Sequence, residues 1–410
     1  MSRVSKYIIS NMKILLINIF IVFLSVVLMT DFAISQEHND SIKTKVKSDT
    51  ANSKTVFVKP TRGNIESLDT ATFNVNEIKV IGYPYVFYTP ETQLAFGLGG
   101  MVYFRTALQP AQKPSKITIA GYYTTNNQYL ISLKPRIYFP GKKRTYLESD
   151  FYFSYDVGKF YGLGNSTKEI DSVNYKTSSF GIYVEAQRKG LVFDLLQVGL
   201  IYDYINVGMK DKMNNPNLYD SSVTGIDGGK VGGLGLSWTY DGRDNISFPS
   251  SGGLYKMSGI FYGRFFASDF TYNRYRFDLR QYVAPIKDNI LAFQIYSDLN
   301  TGSPPFFCMP ALGGSTRMRG FFEGRYRDKN YLMGQLEYRK IIWWRIGVAA
   351  FYSVGDVFGN FNQLKLSELK QSYGFGLRFV FDTKEKINLR VDFGKTKEST
   401  GIYFSMDEAF

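Results

Sequence analysis

From residue 76 onward the chain is written in a two-residue period, in segments too long for an ordinary sheet. In QYLISLKPRIYF, Tyr129, Ile131, Leu133, Ile137 and Phe139 fall on one face, with Ser132, Lys134 and Arg136 on the other. TYLESDFYFSYD sets Leu147, Phe151, Phe153 and Tyr155 against Glu148, Asp150, Tyr152 and Asp156. RYRFDLRQYV sets Tyr275, Phe277, Leu279 and Val283 against Arg274, Arg276, Asp278 and Arg280. INLRVDFG sets Ile387, Leu389, Val391 and Phe393 against Asn388, Arg390 and Asp392. Alternation of this kind marks strands, whose successive side chains point to opposite faces. Most segments run about ten to fifteen residues, where a strand usually takes about five or six. One face is aromatic and the other carries full charges. A soluble sandwich also alternates, but it buries its apolar face and wets its polar one. Long strands with an aromatic face and a charged face instead predict an all-β, transmembrane antiparallel β-barrel. Such a wall has lipid outside, a hydrated lumen inside and no unpaired edge in the bilayer.

The composition agrees. The 410 residues include 31 Tyr, 34 Phe, 38 Gly and 13 Pro, and the mean hydropathy is slightly negative. A single cysteine, Cys308, rules out an intramolecular disulfide and a multi-thiolate metal site. The single histidine, His38, lies in a polar stretch near the N-terminus and argues against histidine-centred catalysis. There is no GxSxG, no Walker-type loop and no dinucleotide fingerprint after a strand. The reading is therefore of no enzyme, no catalytic residues, no metal and no cofactor.

The N-terminus MSRVSKYIISNMK carries Arg3, Lys6 and Lys13, followed by an apolar run from Ile14 to Met29. Ala33-Ile34-Ser35 before Gln36 fits cleavage, which makes 1–35 a signal peptide; the alternative is an uncleaved anchor. Residues 36–75, rich in Lys, Ser, Thr and Asn, read as a flexible periplasmic tail, and 76–410 as the barrel. The formal charge of +13 raises nucleic acid as a partner. An exported chain argues against it, and anionic lipid headgroups or a basic lumen fit better.

Strands are expected at 92–105, 116–124, 128–139, 144–156, 174–188, 191–208, 230–241, 253–266, 271–284, 288–300, 329–341, 343–355, 371–382, 386–395 and 401–410. EIKVIGYPYVFY, Glu77 to Tyr88, supplies a sixteenth that Gly82 and Pro84 weaken. The connections at 140–143 and around Lys189 are short. Those at 157–173, 209–229 and 301–328 are long and fall at the opposite end.

The last of these long connections lies between strands eleven and twelve and contains GGSTRMRGFFEGRYRD, residues 313–328. Its RMRGFFEG (317–324) resembles the (V/I)RG(F/Y) loop motif of the BamA/TamA superfamily of outer-membrane barrels, also called bacterial surface antigen proteins. DGRDNISFPSSGG (241–253), LEYR (336–339), YGFGLR (373–378) and a last strand ending in Phe410 agree in order, over roughly 76–410. The resemblance implies a barrel that inserts proteins into the outer membrane or passes them across it. It also implies a loop folded into the lumen, and a seam between first and last strands that opens sideways.

Carried over by position, Arg319, Gly320 and Phe321 form the motif, with Arg317 beside it and Glu337 as acidic partner on the wall. With Glu337 and Arg339 facing inward, Leu336 and Tyr338 face lipid. Arg378 is a further wall residue. The family's second acid, the Asp of an FxDxG pattern, is replaced here by Ser353 in FYSVG, with Asp356 on the opposite phase. Arg319 is accordingly expected to be held mainly by Glu337, and the loop to be less tightly fixed. Pro84, Phe404 and Phe410 mark the seam. Residues 36–75 are too short for a POTRA domain.

The expectation is a POTRA-less assembly factor of the outer membrane. Its partners would be outer-membrane lipid and unfolded outer-membrane proteins or one translocated protein, with a separate periplasmic helper. The alternatives are a channel or translocation pore gated by the Arg319 loop, and a structural barrel displaying loops such as 209–229.

Overall fold

A computed structural model describes residues 78–104, 106, 115–139, 145–169, 172–190, 195–211, 223–286, 288–382 and 387–410. The expected signal and tail, and the connection at 140–143, lie outside these residues. The first eight strands are β1 (Lys79–Thr89), β2 (Gln93–Phe104), β3 (Ser115–Thr124), β4 (Tyr129–Phe139), β5 (Thr145–Phe160), β6 (Val173–Lys189), β7 (Leu196–Asp211) and β8 (Gly228–Asp241). Then come β9 (Gly252–Tyr262), β10 (Tyr272–Ile286), β11 (Asn289–Gly302) and a short hairpin, β12 (Ala311–Leu312) with β13 (Tyr326–Arg327). The last five are β14 (Asn330–Trp343), β15 (Ile346–Phe358), β16 (Lys370–Asp382), β17 (Ile387–Thr396) and β18 (Thr400–Met406). Among the described residues all but the hairpin join in one closed, sixteen-stranded antiparallel barrel, each strand beside its neighbours in sequence.

Burial is inverted relative to a soluble protein. Leu98, Ile131, Phe375 and Leu377 stand exposed on the outer face, while Arg319, Arg339 and Arg390 are among the largest fully buried side chains. Apolar surface of this extent is stable only under lipid, and closure satisfies the backbone that lipid cannot. Because strand direction alternates, the connections β5–β6, β7–β8 and β11–β14 leave from the same end, and this long-loop end carries the segment from Ser303 to Lys329.

Two differences from the expected strands matter. The weak first strand is regular over its whole length, with Pro84 opposite Leu98 of β2. Proline is tolerated there because β1 is close to being an edge strand; among the described residues it registers with β18 only at Tyr88 opposite Phe404. The last strand does not reach 410. It stops at Met406, where Asp407 adopts a left-handed φ of 62° and turns the chain into the lumen. Phe410 is therefore not part of the last strand or of the seam it was expected to mark; it is buried inside the barrel.

Candidate functional site

The site is a cluster of buried charge where the inward loop meets the wall of β14–β18. Alternation in β14 turns Tyr331, Met333, Gln335, Glu337 and Arg339 inward, and leaves Leu336 and Tyr338 outward and exposed. Register then lines up one belt across the wall: Arg339 lies opposite Ala349, Ala349 opposite Gly376, Gly376 opposite Asp392, and Asp392 opposite Tyr403. The small residues make room for the long ones, since a side chain at Gly376 would collide with Asp392 and Arg378.

The loop brings its own apolar core into the lumen. Leu312, Met318, Phe321 and Tyr326 pack with Tyr331 and Met333 of β14 and Val357 of β15. Gly320 sits at φ +114°, and any Cβ there would press on the backbone of Gly394 and Lys395. A Cβ on Gly394 would in turn lie 2.6 Å from the Arg319 carbonyl, so both glycines are needed for this approach.

Arg319 is fully buried between two carboxylates. Its Nη2 donates to Glu337 Oε2 and its Nη1 to Asp392 Oδ2, with the guanidinium 3.5 Å from the centre of the Phe351 ring. Burial alone would disfavour its charge, but Glu337 and Asp392 outweigh that and hold it more firmly protonated than a free arginine. Arg339 Nε donates to Glu337 Oε1 at 2.7 Å. Arg378 Nη1 donates to Asp392 Oδ1 at 2.6 Å and its Nε to Glu408 at 2.9 Å. Arg390 Nη1 reaches Asp392 Oδ2 at 2.9 Å and the Ser315 carbonyl at 3.0 Å. Desolvating such ions costs several kcal/mol each, and only shared, well-aligned hydrogen bonds offset it.

The expectation that Arg319 relies on Glu337, with Ser353 in place of a second acid, is corrected by this geometry. Ser353 is buried but donates only to Gln335, at 3.4 Å, and Asp356 accepts from Asn165 at 2.7 Å. The second carboxylate is Asp392, two strands further along. Its signal was present in the Asp392-Phe393-Gly394 spacing, the later half of the FxDxG pattern. Arg378 bonds the acids around Arg319 without touching Arg319 itself, and Arg317 lies 4.0 Å from the centre of the Tyr296 ring.

The loop also reaches both lips of the β1–β18 junction. On one side the Gly320 N–H donates to the Tyr403 hydroxyl at 2.9 Å, and Ser399 Oγ to the Gly320 carbonyl at 2.8 Å. On the other, the Glu323 N–H donates to Glu91 Oε1 at 2.7 Å, in the turn between β1 and β2. The first contact is buried and the second exposed. Among the described residues no group of His, Cys, Asp and Glu is arranged to hold a metal ion.

The family model of the Omp85 superfamily domain matches residues 113–410. No curated protein matches by sequence. Among solved structures the chain resembles BamA from Haemophilus ducreyi lacking POTRA domains 1–3, with a TM-score of 0.57 and 14% identity over 82% of this chain and 70% of that one. It also resembles CdiB from Escherichia coli (TM-score 0.53, 10% identity, 80% of this chain and 62% of that one). CdiB from Acinetobacter baumannii gives a TM-score of 0.51 at 11% identity, over 81% and 59% of the two chains. The chain thus spans less than two thirds of either CdiB, and at these identities the likeness is one of fold.

Proposed function

The chain belongs to the Omp85 superfamily, and from that premise we propose that it assembles other barrel proteins into the bacterial outer membrane through the junction of β1 and β18. The observation that carries this is the junction itself. β1 registers with β2 at every position from Lys79–Tyr103 to Thr89–Gln93, and β17 with β18 from Leu389–Met406 to Lys395–Thr400. Between β1 and β18 the single register pair among the described residues is Tyr88–Phe404. Two facing strand edges left mostly unpaired are costly within lipid, and they offer hydrogen bonds to an incoming strand. The client is an unfolded outer-membrane protein whose edge strand pairs with the freed edge, and lipid is the solvent on the outer face. Capture of clients before they reach the barrel falls to a separate periplasmic helper. The buried charge around Arg319 has no chemical step in this reading; it anchors the loop that holds the β18 lip.

Depleting the protein and quantifying outer-membrane proteins tests this. Levels of one or more other barrels should fall. Unchanged levels of all of them would overturn the reading, and loss of a single exported protein alone would replace insertion by translocation.

A further inference from the structure

Residues Asp407–Phe410 belong neither to the wall nor to the loop. After Met406 the Asp407 N–H bonds the Asn388 carbonyl at 2.8 Å and the segment enters the lumen. Glu408 accepts from Arg378 Nε at 2.9 Å and from Asn388 Nδ2 at 2.8 Å, and lies 3.5 Å from Arg339. Ala409 and Phe410 then pack with Tyr282 of β10 and Ala292 of β11, across the lumen from β18. The Phe410 carbonyl accepts from Arg339 Nη2 at 3.0 Å, and the Arg339 guanidinium lies 5.3 Å from the centre of the Phe410 ring.

The receiving surface is built by other strands. Arg339 is already fixed by Glu337, and Arg378 by Asp392, so both guanidinium groups are positioned whether or not the segment is present. Arg339 Nη1 is buried with no partner, next to the place where Phe410 sits. Two positioned guanidinium groups for a carboxylate, an aromatic slot and a donor for a main-chain carbonyl are the parts of a peptide-recognition site.

We propose that the inner wall around Tyr282, Arg339, Arg378 and Asn388 is a binding site for a short peptide carrying a carboxylate two residues before an aromatic ring. The chain's own Asp407–Phe410 is its resident occupant. Any other segment of that kind must displace it, and displacement cuts the tie between β18 and the far wall. The binding does not depend on the seam reading and stands if outer-membrane protein levels prove insensitive to depletion.

The test uses the folded barrel in detergent and a fluorescent, amidated Ser-Met-Asp-Glu-Ala-Phe peptide, read by anisotropy. A chain lacking 407–410 should bind the peptide saturably. The full chain should bind at least ~10-fold more weakly, because a tethered occupant competes at an effective concentration on the order of millimolar. The same peptide with Lys in place of Glu should not bind. Should the deletion fail to give the heat-modifiable gel shift of a folded barrel, the full-length Glu408→Lys, Phe410→Ala variant empties the site while keeping the chain length. Equal binding by emptied and full barrels, or equal binding of the Lys peptide, would overturn the proposal.

Discussion

Two junctions in the same barrel are closed in opposite ways. β5 and β6 register without interruption from Thr145–Arg188 to Phe160–Val173, and the Tyr152 ring lies over Gly181, where any side chain would collide with it. β1 and β18 share one register pair. Yet β18 is not loose. It is held from inside, through Tyr403 and Ser399 to Gly320, and through residues 407–410 to the far wall. At β5–β6 the ladder does the closing; at β1–β18 the lumen does. A strand fixed by its inner face can part from its neighbour without losing its place. The exposed Glu91 contact on the other lip is the weaker of the two tethers, so opening of the junction under the proposed function would begin at β1.

The largest effect should come from breaking the charge beneath β18. Arg319→Ala or Glu337→Gln takes charge-assisted hydrogen bonds, worth about 1.5–3 kcal/mol each, out of a buried network whose other members stay paired, and should lower stability by about 3–5 kcal/mol, read from urea unfolding of the refolded barrel. Amide exchange should rise in β18 well before β5 and β6. A uniform rise would erase the difference between the junctions. Next comes Gly320→Ala, which forces a side chain into a left-handed position against Gly394 and should cost about 1–3 kcal/mol. Smaller still are the two side-chain contacts to the lips, at Tyr403 and Glu91. Tyr403→Phe should destabilise by about 0.5–1.5 kcal/mol and speed exchange in β18. Glu91→Ala should do less and speed exchange in β1; the reverse ranking would mean that the lips are assigned the wrong way round. The smallest test concerns labelling only. Burial pushes the Cys308 thiol up to about 11, which lowers its thiolate fraction near neutral pH. Cys308 should react slowly with a charged maleimide in the folded barrel and rapidly in urea. Equally fast labelling in both would mean that the loop is not folded in.

Much of this was legible in the chain because each face of the wall meets its own solvent. Alternation marked fifteen of the sixteen strands; β1, weakened by Gly82 and Pro84, was legible only as the strand the barrel still lacked. Arg319 and its neighbours were legible because the loop motif is contiguous. Asp392 left only the Asp-x-Gly spacing of 392–394 as a signal, because its meeting with Arg319 depends on barrel register, and a one-residue slip would send it to lipid. Glu408 puts a charge on the phase of Ile402, Phe404 and Met406. It is where the alternation ends because the chain leaves the sheet, and its carboxylate needs Arg378, which the chain places thirty residues earlier.

Joining the lips covalently tests the central claim most directly. Tyr88→Cys with Phe404→Cys places a disulfide at the single seam pair, and Ser154→Cys with Ser179→Cys places the control in the β5–β6 ladder. In cells depleted of the native chain, the oxidised seam variant should fail to restore other outer-membrane barrels, and reductant should rescue it, while the control works under both conditions. If the oxidised seam variant restores them as well as the native chain does, the junction does not open for clients and the proposed route is wrong.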